Sequence, residues 1–118
     1  MFAEVKKMLQ NRISGSSYDE QIILWIRAAV LDLQMEQIVL DGVCDIERTQ
    51  DAQTGIWTIT DNSTIEDEYV FAACAAYCSM NIGNPPNHEN LLKTYNTIKG
   101  NMRMSKKYKG DADDEEAG

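Results

Sequence analysis

Residues 81–95, NIGNPPNHENLLKTY, set a glycine, two adjacent prolines and four asparagines between two segments of helical apolar spacing. Proline has no amide hydrogen for a helix interior, and its ring clashes with the carbonyl four residues back, so no helix runs through Pro85 and Pro86. The chain must turn a corner here. Gly83 suits a helix C-terminus, a proline is tolerated in a first turn, and Asn87 suits the cap of the next helix.

Helical spacing recurs on both sides of the corner and near the start of the chain. Phe2, Val5, Met8 and Leu9 predict a short amphipathic helix over 2–10, ended by Gly15 and its neighbouring serines. SYDE then reads as a capping box of Ser17 and Glu20 opening a long helix from about Tyr18 to Val39. Its face carries Ile22, Ile26, Ala29, Val30 and Leu33, widened by Ile23, Trp25 and Leu31. That widening fits two arrangements, a contact with a neighbouring subunit or a single core that takes in both flanks.

The period changes in the middle of the chain. Ile56 to Thr60 are β-branched or aromatic and read as a short strand, with VCDIERT (43–49) as its hairpin partner across a polar loop. A two-stranded unit is marginal alone, so it should lie on helices or pair with a strand of another chain. Ile23, Trp25 and Trp57 are the candidate subunit-contact residues. A second main helix follows, capped by Ser63 or Thr64, with Glu66, Asp67 and Glu68 favouring its positive end. Ile65, Tyr69, Ala72 or Ala73, Ala76, Tyr77 and Met80 line one face of it, and their small members let another helix approach. The third main helix carries Leu91, Leu92, Tyr95, Ile98 and Met102 and fades near Tyr108. The expected fold is mainly α: a small bundle of three to four helices, with a short β-hairpin or strand between the first long helix and the second.

The 118 residues suffice for one domain with a modest core, and no apolar run approaches the ~20 residues that cross a bilayer. MFAEVKKMLQ lacks the apolar stretch of a secretory signal, and three cysteines make an odd set for a disulfide framework, so reduced thiols are expected. Net charge is −8, but GDADDEEAG holds five of the acids, leaving −3 for residues 1–110. The division is therefore a helical domain over 1–110 and an acidic, solvated tail over 111–118. Such a body has no broad basic surface for nucleic-acid phosphates, which disfavours a small DNA-associated regulator.

Chemistry needs convergent groups, and the sequence offers few. Cys74 and Cys78 stand four apart on a predicted helix, but zinc needs three or four protein ligands, and His88 is the sole histidine. His88 reads as a surface residue of a first helical turn. The glycines stand apart without a phosphate-binding motif, and Asp41, Asp45, Asp51 and Asp61 lack calcium-loop spacing. No catalytic residue, cofactor or metal is expected, and the chain does not read as an enzyme.

The order of motifs around the corner is more specific. Ala73 with Tyr77, then Ile82–Gly83, Leu91 with Tyr95, and Ser105 with Tyr108 resemble the carboxy-terminal half of the head–tail connector proteins of tailed bacteriophages, also called adaptor or DNA-packaging proteins. EVKKML and YDEQIILWIRAAVLDL are similar to that family's short first helix and long second helix. The likeness spans nearly all of residues 2–109, and the stretch 43–60 departs from the shortest members.

The resemblance implies a non-enzymatic structural protein of the virion neck, made in the bacterial host cytoplasm. It would assemble as a ring of about twelve copies beneath the portal protein, closing by head-to-tail contacts. DNA would pass through the lumen without specific binding, and a stopper or tail-completion protein would dock next. The carboxy-terminal segment of the family commonly reaches the portal. This makes Lys106, Lys107, Tyr108, Lys109, Asp111, Asp113 and Asp114 candidate portal-binding residues, expected to order only on docking. A stopper or tail-completion protein is the nearest alternative identity, and those tend to be richer in strand.

Overall fold

A computed structural model of the chain describes residues 1–9, 13, 15–83 and 86–109. In chain order it contains α1 (Phe2–Met8), α2 (Asp19–Met35), β1 (Ile46–Gln50), β2 (Trp57–Asp61), α3 (Glu68–Asn81), α4 (His88–Met104) and a single 3₁₀ turn, Lys106–Tyr108. The two strands form an antiparallel hairpin in which Ile46 lies opposite Asp61 and Gln50 opposite Trp57. A mainly helical fold with one small hairpin is thus what the chain forms.

α3 is the central helix. It packs on α1, α2 and α4, and its Val70, Phe71, Ala73, Cys74, Ala75, Ala76, Cys78 and Met80 are all buried. Small side chains let three helices close on it at once. The rest of the core comes from Val5 and Leu9, from Ile22, Ile26 and Leu33 of α2, from Ile38 and Ile46, and from Tyr95 and Met102 of α4. Leu92 and Tyr69, expected on buried faces, are exposed, because the buried face of α4 follows Leu91, Tyr95, Ile98 and Met102 and α3 turns Tyr69 outward.

The expected helix starts are corrected in two places. α2 begins at Asp19 with Tyr18 at its cap position and no side-chain cap, so the box of Ser17 and Glu20 does not form. Asp19 instead takes the Lys6 ammonium at 2.7 Å and ties α1 to α2, while Glu20 turns toward Arg48 at 3.5 Å. α3 is capped by Asp67, whose Oδ1 accepts from the Tyr69 amide at 2.9 Å. Ser63 and Thr64 lie before the helix, and their hydroxyls are spent elsewhere. Their hydroxyls accept from the amides of Asp45 and Val43, both at 2.8 Å, and so prolong the hairpin toward the core.

α2 also stops short of Val39. Gln37 adopts φ 63, the Ile38 amide donates to the Leu33 carbonyl at 3.1 Å, and the Gln37 amide to Gln34 at 3.0 Å. These two bonds make a Schellman ending in which a glutamine holds the left-handed position that glycine usually takes. Gly42, four residues after Ile38, has φ 110, and a Cβ on it would lie 2.8 Å from the Thr64 carbonyl carbon and the Ile65 amide nitrogen. Only a glycine lets the two chain segments meet there.

The corner that opened the sequence is folded as a lock between α3 and α4. Gly83 takes φ 61, and His88, the first residue of α4, places Nδ1 3.2 Å from the Met80 carbonyl, one of the unpaired carbonyls at the end of α3. Asn87 sits at the cap position without a side-chain bond. Farther along, α4 is tied to α2 by a polar ladder. The Tyr95 hydroxyl donates to Asp32 at 2.6 Å, Lys99 to Asp32 at 3.0 Å, and Arg103 to Glu36 at 2.5 Å.

Candidate interaction surface

α2 is apolar on two sides. Toward the core it sends Ile22, Ile26, Ala29 and Leu33, and away from it Leu24, Leu31 and Met35, which are 54%, 57% and 76% exposed. With Ala28 these outer residues follow a 4-3-4 spacing, which lines them up along a helix of 3.6 residues per turn. The spacing was readable in the sequence, but the core-facing stripe beside it masks the second one.

Beside this stripe a groove of about 400 Å³ separates α2 from the hairpin. Ile23 and Leu24 contribute its apolar part, Arg27 and Arg48 its cations, and Trp57 one wall. Arg27 donates to the carbonyl of Ile46 and so fastens β1 to α2. The Arg48 guanidinium stacks on the Trp57 ring, 3.9 Å from its centre, which holds the half-exposed indole in place. A second hollow farther along α2, beside Leu31, brings in Val43 and Cys44 from the loop before β1.

The three candidate subunit-contact residues therefore separate. Ile23 is 4% exposed and belongs to the core, reaching only the floor of the groove, so it is corrected from a contact residue to a packing residue. Trp25 packs half-buried against the core and does not line the groove. Trp57 stands 48% exposed on the groove wall. Leu31, named in the widened face, is indeed outward, and Leu24, Met35 and Val43 are outward apolar residues near it that were missed.

The carboxy-terminal candidates are also corrected. Lys106, Lys107 and Tyr108 form the 3₁₀ turn, in which Tyr108 is buried against the body and the two lysines are exposed. Tyr108 is 6% exposed, its carbonyl accepts from the Val39 amide at 2.7 Å, and its hydroxyl donates to Asp67 Oδ2 at 2.5 Å. Lys107 reaches the same oxygen at 3.1 Å. Burial of the Tyr108 ring and its bond to Asp67 hold this turn against the body of the chain. Lys106 and Lys109 remain exposed. Asp111, Asp113 and Asp114 lie outside the described residues.

Electrostatics follow the hydrogen bonds that tie the elements together. Partial burial works against the charge of Asp67 and Asp32, yet donors from Tyr108 and Lys107, and from Tyr95 and Lys99, hold both carboxyls below the usual range. Asp61 is the extreme case. Burial opposes its charge, but the Met1 ammonium, the Ser63 hydroxyl and the Phe2 amide bring it to about 2. Burial pushes the Cys78 thiol up to about 12 and Cys74 higher, so neither supplies thiolate. Among the described residues no group of three His, Cys, Asp or Glu side chains is placed to hold a metal ion, and no helix is long and apolar enough to cross a membrane. Comparison with protein-family models, with curated proteins and with solved structures finds no match.

Proposed function

We propose that the chain is a structural, non-enzymatic connector of a tailed-phage neck, a ring-forming adaptor beneath the portal that extends the DNA channel and seats a stopper or tail-completion protein. The motif order around the corner, from Ala73 to Tyr108, carries the family reading. The observation that supports assembly is the outer face of α2, where Leu24, Leu31 and Met35 point away from the core and run on to Trp57 across the groove. Contacts of that kind bury apolar surface worth roughly 25 cal/mol per Å². A net charge of −8 suits a lumen through which DNA slides without adhering.

In this reading the α2 face and Trp57 meet a neighbouring copy, whereas Lys106, Lys109 and the acidic run after them remain for the portal. Negative-stain microscopy of the protein with purified portal tests it. Rings seated on the portal are expected, and a Leu31→Lys variant should fold normally yet fail to form them. Free protein that never associates with portal, or rings that tolerate a lysine at that position, would remove the proposal. Deleting 110–118 should leave the fold intact while weakening portal binding, since the contacts of Tyr108 with Val39 and Asp67 lie before the cut.

A further inference from the structure

The hairpin has two unlike edges. Val43 with Thr64, Asp45 with Asn62 and Asp51 with Ile56 are joined by backbone hydrogen bonds of 2.7–2.9 Å. In an antiparallel ladder bonded and unbonded pairs alternate, so the pairs Arg48–Ile59 and Gln50–Trp57 turn their amides and carbonyls outward. On the β1 side α2 lies across the groove, Arg27 takes the outward carbonyl of Ile46, and the charged side chains of Glu47 and Arg48 flank the rest of that edge. On the β2 side the outward groups of Trp57 and Ile59 have no partner among the described residues.

Open edges are normally guarded by lysine, proline or a bulge. Residues 56–60, IWTIT, contain no charge and no proline, and their β-branched and aromatic side chains favour strand pairing. Ile56 and Trp57 are exposed, as are Thr58 and Thr60. The edge has the chemistry of a paired strand and lacks the protection of a free one.

We propose that β2 pairs antiparallel with β2 of a second copy of this chain, about a two-fold axis through Thr58. In that register Trp57 lies opposite the partner's Ile59 and Ile59 opposite the partner's Trp57, two aromatic to β-branched pairs of the kind that stabilise sheets. Thr58 meets the partner's Thr58, and four backbone hydrogen bonds join the outward groups of residues 57 and 59. No charged residue falls within the paired run, so no like charges are opposed and no ion loses its water. A shift of one residue sets outward groups against groups already bonded to β1. Centring the axis on Ile59 instead brings the partner's Trp57 against Asp61, whose carboxylate already accepts from the Phe2 amide at 2.6 Å.

A two-fold contact uses the same patch on both copies, whereas ring neighbours meet through different patches. The pairing therefore belongs to the free chain and stands apart from the connector reading. Light scattering or sedimentation of the full chain tests it with Thr58→Lys and Thr58→Glu, exposed substitutions that leave the ladder to β1 in place. The wild-type chain is expected at twice the monomer mass, each variant at the monomer mass, and an equal mixture of the two back at twice. Thr58→Cys gives an independent reading, because facing unbonded residues approach closely enough for a disulfide under mild oxidation. A wild-type chain that stays monomeric, variants that stay dimeric, a mixture that does not reassociate, or no crosslink at position 58 would each overturn the pairing.

Discussion

α2 and α3 are the two apolar helices of this molecule, and they use their apolar residues differently. α3 is enclosed by α1, α2 and α4, so its alanines and cysteines serve one purpose, close helix packing. α2 packs with one side and presents Leu24, Leu31 and Met35 with the other. Apolar content alone does not separate these cases. Side-chain size does: small residues mark the helix that others surround, and large ones on both sides mark a helix with one face packed and one face exposed.

The strongest way to break this comparison is on α2 itself, where Leu33 and Leu31 stand two residues apart. Leu33 is fully buried, and Leu33→Ala should cost about 2–5 kcal/mol, the range for a core leucine whose site cannot fully collapse. Leu31→Ala should change monomer stability by less than about 0.5 kcal/mol, as surface substitutions do, and act only on association. Denaturant melts of both variants in dilute solution check the pair. Equal losses would mean that the outer face already packs within one chain.

A medium effect concerns how α3 is held at its start. Asp67 caps it and also accepts from Tyr108 and Lys107, and Asp61 anchors the first residues of α1. Both carboxyls titrate lower in the folded chain than in the unfolded one, Asp61 at about 2. The unfolded chain therefore binds protons first as pH falls. Their contribution is fully present above the ordinary carboxylate range and is lost progressively from about pH 4 toward pH 2. Melting temperature followed over that range should drop, and Asp67→Asn should lower it at neutral pH while flattening the acid decline. An undiminished acid decline in the variant would assign the effect to other carboxylates.

The helical order, the corner at Gly83 and the core stripe of α2 were legible because each depends on local spacing or on the backbone limits of proline and glycine. The capping residues were misplaced because Ser17, Ser63 and Thr64 are chemically able caps. Tertiary partners decided against them: the amides of Asp45 and Val43 claim Ser63 and Thr64, and Glu20, the expected box partner of Ser17, turns to Arg48. Trp57 was legible as a strand residue, but its support by Arg48 was not, since a stack across a hairpin depends on strand register. Tyr108 was assigned to a free arm because the residues around it are polar and charged. Its anchor, Asp67, lies 41 residues earlier, beyond the reach of any local pattern.

The smallest expected effect concerns how α2 ends. Gln37 holds the left-handed conformation with φ 63, which costs a residue bearing a Cβ roughly 1 kcal/mol relative to glycine. Glycine also loses more backbone freedom on folding, which offsets part of that gain. Gln37→Gly should therefore raise stability by several tenths of a kcal/mol, leaving the bonds from Ile38 to Leu33 and from Gln37 to Gln34 unchanged. A paired Gln34→Gly, in the last turns of the same helix, should instead cost up to about 1 kcal/mol. Opposite signs for two identical substitutions three residues apart would locate the helix end at Met35. If both destabilise, α2 continues toward Val39 in solution, and its apolar outer face extends with it.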